Sequence, residues 1–167
     1  MEIRAFFLEQ LEKEAATSRK VLERVPEGLN AWKPHPRSME LGYLAALVAS
    51  MPGWPAFMIE KDHIDLDGAD SGLRTAAVET RADLLRMLEE GLERSRSALL
   101  STTDSHLNSK WQMRMGGSVQ AEGPRYDMIA SGALSHMAHH RGQLTVYLRL
   151  CDAKVPAVYG PSADEWH

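Results

Sequence analysis

Residues 135–144 read Ser-His-Met-Ala-His-His-Arg-Gly-Gln-Leu and form the centre of a helix that we predict from Pro124 to about Leu150. His136 and His140 are four residues apart, which on a helix is about 40° around the axis and about 6 Å along it. The two imidazoles should face the interior of the protein, because apolar residues recur on their side of the helix. That side carries Ile129, Ala133, Gln143, Leu144 and Tyr147.

Two histidines at this spacing allow two interpretations. Both imidazoles can reach one metal ion, and neutral imidazole suits zinc, nickel, iron or copper better than magnesium or calcium. Alternatively, they are structural or surface histidines, because two ligands do not complete a metal site. His139 is offset by about 60° from His136, so we expect it beside the apolar stripe. The spacing alone leaves both interpretations open.

The rest of the chain predicts three more helices and little strand. Apolar residues recur at three- and four-residue steps over about residues 2–25, 41–59 and 74–101. A short hairpin is predicted at Trp111–Gln120, around Gly116-Gly117. Four long helical segments in a single domain, residues 1–167, indicate an all-α four-helix bundle with a hairpin or irregular segment before the last long helix.

The second of these helices also has the length of a transmembrane span, because Leu41–Ile59 contains no charged residue. Pro52, Gly53 and Pro55 interrupt the segment, however, and charged residues close both ends. We therefore predict a helix buried in the bundle, kinked or restarted at Met-Pro-Gly-Trp-Pro, and no membrane contact.

The composition limits the class of protein. The chain of 167 residues has 19 Lys and Arg against 23 Asp and Glu, a formal net charge of −4, which argues against a nucleic-acid binder. Cys151 is the single cysteine, so no internal disulfide forms and we expect a cytoplasmic protein. The sequence has no Gly-x-Ser-x-Gly elbow, phosphate-binding loop or dinucleotide fingerprint, which leaves the histidines as the candidate site.

The run His-Met-Ala-His-His-Arg-Gly-Gln-Leu, residues 136–144, resembles the hallmark of the DinB/YfiT-like family of metalloenzymes. Three further stretches are similar to family stretches: Trp32–Met39, Met51–Trp54 and the C-terminal run Val155–Glu165. The resemblance therefore covers nearly the whole chain. It implies a four-helix bundle, often a homodimer, in which three histidines bind a divalent metal, commonly nickel or zinc.

By this resemblance, His136 and His140 match two of the three metal ligands. The third ligand lies on the second helix of the family, and the position that we align with it is Leu47, which cannot coordinate a metal. His35 lies on a proline-rich loop and is expected at the surface, and His63 follows Leu47 by 16 residues. Neither is a convincing substitute. The resemblance thus implies an incomplete histidine site.

The resemblance and the missing third ligand lead to two candidate functions. By the resemblance, the protein is a metal-dependent enzyme acting on a small molecule, either a hydrolase or a transferase that uses a low-molecular-weight thiol. The alternative is a non-catalytic, metal-free binding or stress-associated protein that keeps the fold; a structural dimer module without a ligand is a weaker third option. We assign no catalytic residue. Arg141 is interpreted as a helix-surface or interhelical ion pair, and Gln143 as a satisfied core amide.

Overall fold

Four long helical segments pack on one another in the computed structural model, which describes residues 2–67 and 78–165. The first segment is α1 (Ile3–Leu22). The second consists of α2 (Leu41–Ser50), a 3₁₀ turn (Met51–Gly53) and α3 (Trp54–Glu60). The third is α4 (Arg81–Ser101), followed by the short α5 (Asp104–Leu107). The fourth consists of α6 (Arg125–Ile129), a π-helical segment (Ala130–Ser135) and α7 (His136–Leu150).

The bundle is accompanied by a three-stranded mixed sheet, so the prediction of a purely all-α fold was wrong. The hairpin is confirmed, and its strands β2 (Lys110–Met115) and β3 (Ser118–Pro124) extend beyond the predicted range. The strand β1 (His63–Asp65) pairs in parallel with β2. A strand of three residues is too short to show a periodic pattern in the sequence. It forms only by pairing with β2, which lies far away along the chain.

The hairpin turn explains why β1 docks where it does. Gly116 and Gly117 have φ values of +56° and +79°, the left-handed conformation that a two-residue hairpin turn requires and that glycine adopts at low cost. The carboxylate of Asp65 accepts hydrogen bonds from the backbone N–H of Gly116 at 3.0 Å and of Gly117 at 2.7 Å. These two bonds connect the end of β1 to the turn and lower the pKa of Asp65.

The interruption predicted in the second helix is confirmed, because the 3₁₀ turn Met51–Gly53 separates α2 from α3. The combined stretch Leu41–Glu60 is long and apolar enough to cross a membrane by length and composition alone. Within the structure, 72% of its most apolar window is buried. The segment thus has the burial of a helix that contributes to a protein core.

The start of the third helix differs from the prediction. Thr80 is the N-cap of α4. Its hydroxyl accepts a hydrogen bond from the backbone N–H of Asp83 at 3.1 Å. In return, the Asp83 carboxylate accepts a hydrogen bond from the backbone N–H of Thr80 at 3.3 Å. This reciprocal capping box satisfies two donors at the helix end and fixes the start at Arg81. Residues 74–77 of the predicted helix lie outside the described residues.

A close approach of two glycines sets the position of the 3₁₀ turn against α4. A Cβ atom on Gly91 would lie 2.8 Å from the backbone nitrogen of Gly53 and 3.2 Å from its Cα. One helical turn further along α4, the buried hydroxyl of Ser95 accepts a hydrogen bond of 3.1 Å from the backbone N–H of Ala56. These contacts fix the first turn of α3, and with it the position of Trp54.

We expect Gly91→Ala to lower the free energy of unfolding by about 1–3 kcal/mol, because the added methyl group forces the 3₁₀ turn away from α4. Urea denaturation measures this change. Gly142→Ala is the matched control: Gly142 also lies inside a helix, but a Cβ there meets nothing within 4 Å. That control should be stabilised by about 0.5–1 kcal/mol, as expected for glycine to alanine in a helix. Equal effects in the two variants would contradict the packing argument.

Candidate functional site

His136 and His140 lie at the start of α7 with their rings side by side. The two Nε2 atoms are 2.9 Å apart, and the ring centroids are separated by 4.6 Å. His140 is 7% exposed, and His136 is half-buried. The π-helical segment Ala130–Ser135 ends immediately before His136, and such segments are frequent at functional sites. The structure thus brings together the two residues that the sequence singled out.

The other ring nitrogen of His140 is engaged by an acceptor. Nδ1 of His140 lies 2.8 Å from the side-chain oxygen of Gln143, which can only accept, so this nitrogen carries the proton. With the His140 proton on Nδ1, the 2.9 Å contact between the two Nε2 atoms is a hydrogen bond when His136 carries its proton on Nε2. A metal cation bound between the two atoms would replace that proton.

The 2.9 Å separation of the Nε2 atoms is that of a hydrogen bond, and it is also compatible with two ligands of one ion. Nitrogens bound at 2.0–2.1 Å are about 2.9 Å apart when they subtend 90° at the ion, and about 3.4 Å apart at the tetrahedral angle. Histidines that bind a metal through one nitrogen also donate the other N–H to a carbonyl or carboxylate group, which fixes the ring orientation. Gln143 accepts this bond from His140 here. The pair would supply two imidazole ligands of the kind that a divalent transition metal takes.

Burial lowers the pKa of both histidines below the ordinary histidine value, since it disfavours the charged ring. The hydrogen bonds to Gly132 and Gln143 act in the opposite direction and are the smaller effect. Proximity of the other histidines lowers both pKa values further. Both imidazoles are consequently neutral at pH 7, which is the form that binds a metal.

Leu47 lies on the second helical segment, which packs against α7. The Tyr147 hydroxyl donates to the backbone carbonyl of Met39 at 3.2 Å, and the Trp54 ring contacts the His136 ring edge-on at 5.5 Å between centroids. The second segment therefore runs antiparallel to α7, and Leu47 lies between these two contacts along the segment. Leu47 is 8% exposed and belongs to the apolar cluster that includes Trp54 and Met137.

No third metal ligand completes the pair within residues 2–67 and 78–165, where no group of three or more His, Cys, Asp or Glu side chains is placed to hold a metal ion. His139 is exposed beside the pair, as its angular offset predicted. His35 is an exposed loop residue, and its Nδ1 accepts from the backbone N–H of Arg37 at 3.1 Å. His63 is exposed on β1.

Arg141 forms a buried interhelical ion pair, one of the two alternatives predicted for it. Its side chain is 1% exposed and donates from Nη2 to the Glu14 carboxylate at 2.6 Å and from Nη1 to Ser18 Oγ at 3.1 Å. The Tyr159 hydroxyl donates to the same carboxylate at 2.7 Å, and the Tyr159 ring covers the guanidinium group. The network connects α7 to α1 and to the C-terminal segment, next to His140.

A second buried arginine was missed by the sequence reasoning. Arg125, at the start of α6, is 1% exposed. Its guanidinium donates to His106 Nε2 at 3.0 Å, to the backbone carbonyl of Lys110 at 3.0 Å and to the Asp62 carboxylate. It joins β1, α5 and β2 at the sheet. These partners come from three separate segments, so no local pattern could have indicated them.

Comparisons with known proteins agree with this architecture. The family model described as DinB family matches residues 78–167, more than half of the chain, including both histidines of the pair. A stretch of 33 residues is 48% identical to the uncharacterized protein YrdA of Bacillus subtilis (strain 168). This stretch is 20% of this chain, and it covers 20% of the length of the curated relative.

Two solved structures share the fold. A DinB-like protein from Bacillus cereus ATCC 10987 has a TM-score of 0.68 and 20% identity, over 92% of this chain and 95% of that one. A DinB-like protein, YjoA, from Bacillus subtilis has a TM-score of 0.65 and 17% identity, over 88% of this chain and 92% of that one. Together with the matched family model and the histidine-bearing last helix, these similarities identify the chain as a member of the DinB family.

Proposed function

We propose that this protein binds one divalent transition metal ion, nickel or zinc, through His136 and His140, and uses it toward a small-molecule substrate. The observation that supports the proposal is the approach of the two Nε2 atoms to 2.9 Å, with Nδ1 of His140 engaged by Gln143. The reaction class that we propose is hydrolysis or transfer to a low-molecular-weight thiol.

When bound, a divalent ion supplies Lewis-acid chemistry and lowers the pKa of a coordinated water or thiol. The residues of this chain hold and orient the site. Gln143 orients the His140 ring. Trp54 is buried and packs edge-on against the His136 ring. Burial and a raised pKa keep Cys151 a neutral thiol, so the nucleophile comes from solvent or from a cosubstrate.

Metal content tests the proposal. Protein purified without a metal-affinity tag, stripped with chelator and titrated with NiCl₂ or ZnCl₂ in a calorimeter should bind one equivalent. We expect His136→Ala and His140→Ala each to weaken binding by at least about tenfold, because a single histidine remains. The control is His35→Ala, which removes an exposed loop histidine and should leave the affinity unchanged.

The outcomes separate the two candidate functions. If the unmodified protein binds neither metal, or if the two histidine variants bind as tightly as the unmodified chain, the metal-dependent function is wrong. A metal-free binding protein is the second candidate, and Leu47 is the observation that favours it, since an apolar side chain stands where the family resemblance implies a ligand. In that case, His136 donates a hydrogen bond from Nε2 to Nε2 of His140.

A further inference from the structure

The solvent-facing side of α7 is almost free of charge. Its exposed residues are His139, Gly142, Val146, Arg149 and Leu150. Val146 is 57% exposed and Leu150 is 56% exposed, one helical turn apart. Arg149 is the charged member of this set, and it pairs with Asp164 of the same chain at 2.6 Å. The outer face of α7 therefore combines two exposed apolar side chains with a charge that is already neutralised.

The outer faces of the other two long helices are different, because charged residues recur along them. Their exposed charged residues are Arg86, Glu89, Glu90, Glu93 and Arg94 on α4, and Glu9, Lys13 and Lys20 on α1. Charged side chains are the usual occupants of a solvated helix face. A face that lacks them and exposes neighbouring apolar side chains is typical of a surface that another protein covers, since charged residues are depleted at the centre of interfaces.

The helix α2, which packs beside α7, adds a second uncharged element. No residue of α2 is charged, and its exposed residue Tyr43 is 53% exposed. Tyr43 lies one helical turn after Met39, whose backbone carbonyl accepts from Tyr147 of α7. A standard interface buries about 800 Å² of each partner, more than a single helix face supplies. The neighbouring helix thus provides the additional area that a stable contact needs.

The distribution of charge favours a second copy of this chain as the partner. A two-fold contact places the same surface of both copies against each other, so a charged face would bring like charges together. Two copies with a net charge of −4 each already repel one another. A partner of opposite charge would be recognised by charged residues, which the outer face of α7 lacks apart from the paired Arg149.

We propose that the outer face of α7, together with Tyr43 of α2, is the contact between two copies of this chain. The contact requires no bound metal, so it is independent of the proposed function. It lies beside the candidate site, because the ring centroids of His139 and His140 are 4.9 Å apart. The second copy therefore covers the side of the site on which the exposed His139 lies.

Sedimentation equilibrium of the protein in EDTA tests the proposal, because the chelator removes any association through a metal. We expect a monomer–dimer equilibrium at micromolar concentrations. Val146→Glu should raise the dissociation constant by at least about tenfold, since it sets a carboxylate of each copy at the contact. Leu100→Glu is the matched control: Leu100 is 63% exposed on α4, and the same substitution there should leave the constant within about twofold.

A second measurement locates the contact without any substitution. In ¹H–¹⁵N spectra of a dilution series, the backbone signals of His139, Gly142 and Val146 should shift with concentration, and those of Glu89 and Arg94 on α4 should not. The inference is wrong if the unmodified protein stays monomeric, if Val146→Glu dimerises as tightly as the unmodified chain, or if the shifts fall on α4 instead. None of these outcomes decides the metal titration that tests the proposed function.

Discussion

Leu47→His is expected to tighten Ni²⁺ and Zn²⁺ binding on the order of 100-fold, or about 2.7 kcal/mol, because a third imidazole completes the ligand set. Leu47 lies on the antiparallel neighbour of α7, between the residues that contact Tyr147 and His136. Two contacts, Met39 with Tyr147 and Trp54 with His136, fix how the second helical segment is aligned along α7. Calorimetric titration of the chelator-stripped protein measures the change.

The same substitution should destabilise the metal-free protein. Leu47 is 8% exposed within an apolar cluster, and a buried polar group without a partner costs free energy. Added metal should then raise the thermal midpoint of Leu47→His more than that of the unmodified protein, since binding to the folded state stabilises it. Leu47→Gln is the control at the same position: it carries a similar burial cost and should bind metal no more tightly than leucine. If Leu47→His binds no better than Leu47→Gln, Leu47 does not occupy the third-ligand position.

Glu14→Ala is expected to lower the free energy of unfolding by about 3–5 kcal/mol, because it leaves the buried guanidinium of Arg141 without its carboxylate. The Arg141 side chain is 1% exposed and the Glu14 side chain 16% exposed, so solvent cannot replace the lost partner. The Glu14 backbone carbonyl and Ser18 still accept from Nη1, but neither carries a charge. Urea denaturation of the variant measures the loss.

Two comparisons make this prediction specific. Glu9→Ala removes a carboxylate from the same helix, where Glu9 pairs with Lys13 in solvent, and it should leave stability unchanged within error. Replacing both partners together, with Glu14→Leu and Arg141→Met, should recover much of the loss, because an apolar pair needs no compensating charge. A cost for Glu14→Ala as small as that for Glu9→Ala would show that the buried pair does not hold α7 against α1.

The local features of the site were predictable from the sequence. The spacing of His136 and His140 places their rings on one face of any helix, whatever surrounds it. The hairpin at Gly116-Gly117 is similarly local, because two residues with positive φ define the turn. The break after Ser50 follows from the proline and glycine residues there. In each case, interactions over a few residues along the chain decide the conformation.

The partners of these local features depend on the tertiary structure. Glu14 lies 127 residues from Arg141, and the three residues of β1 form a strand only by pairing with β2. Trp54 lies in a stretch that resembles the family, but its contact with His136 requires the packing of the second helical segment on α7. The sequence by itself determined the four helical segments and the histidine pair, since both arise from short-range periodicity. The tertiary structure decided which side chains surround the pair, because burial and charge pairing join segments that no local pattern connects.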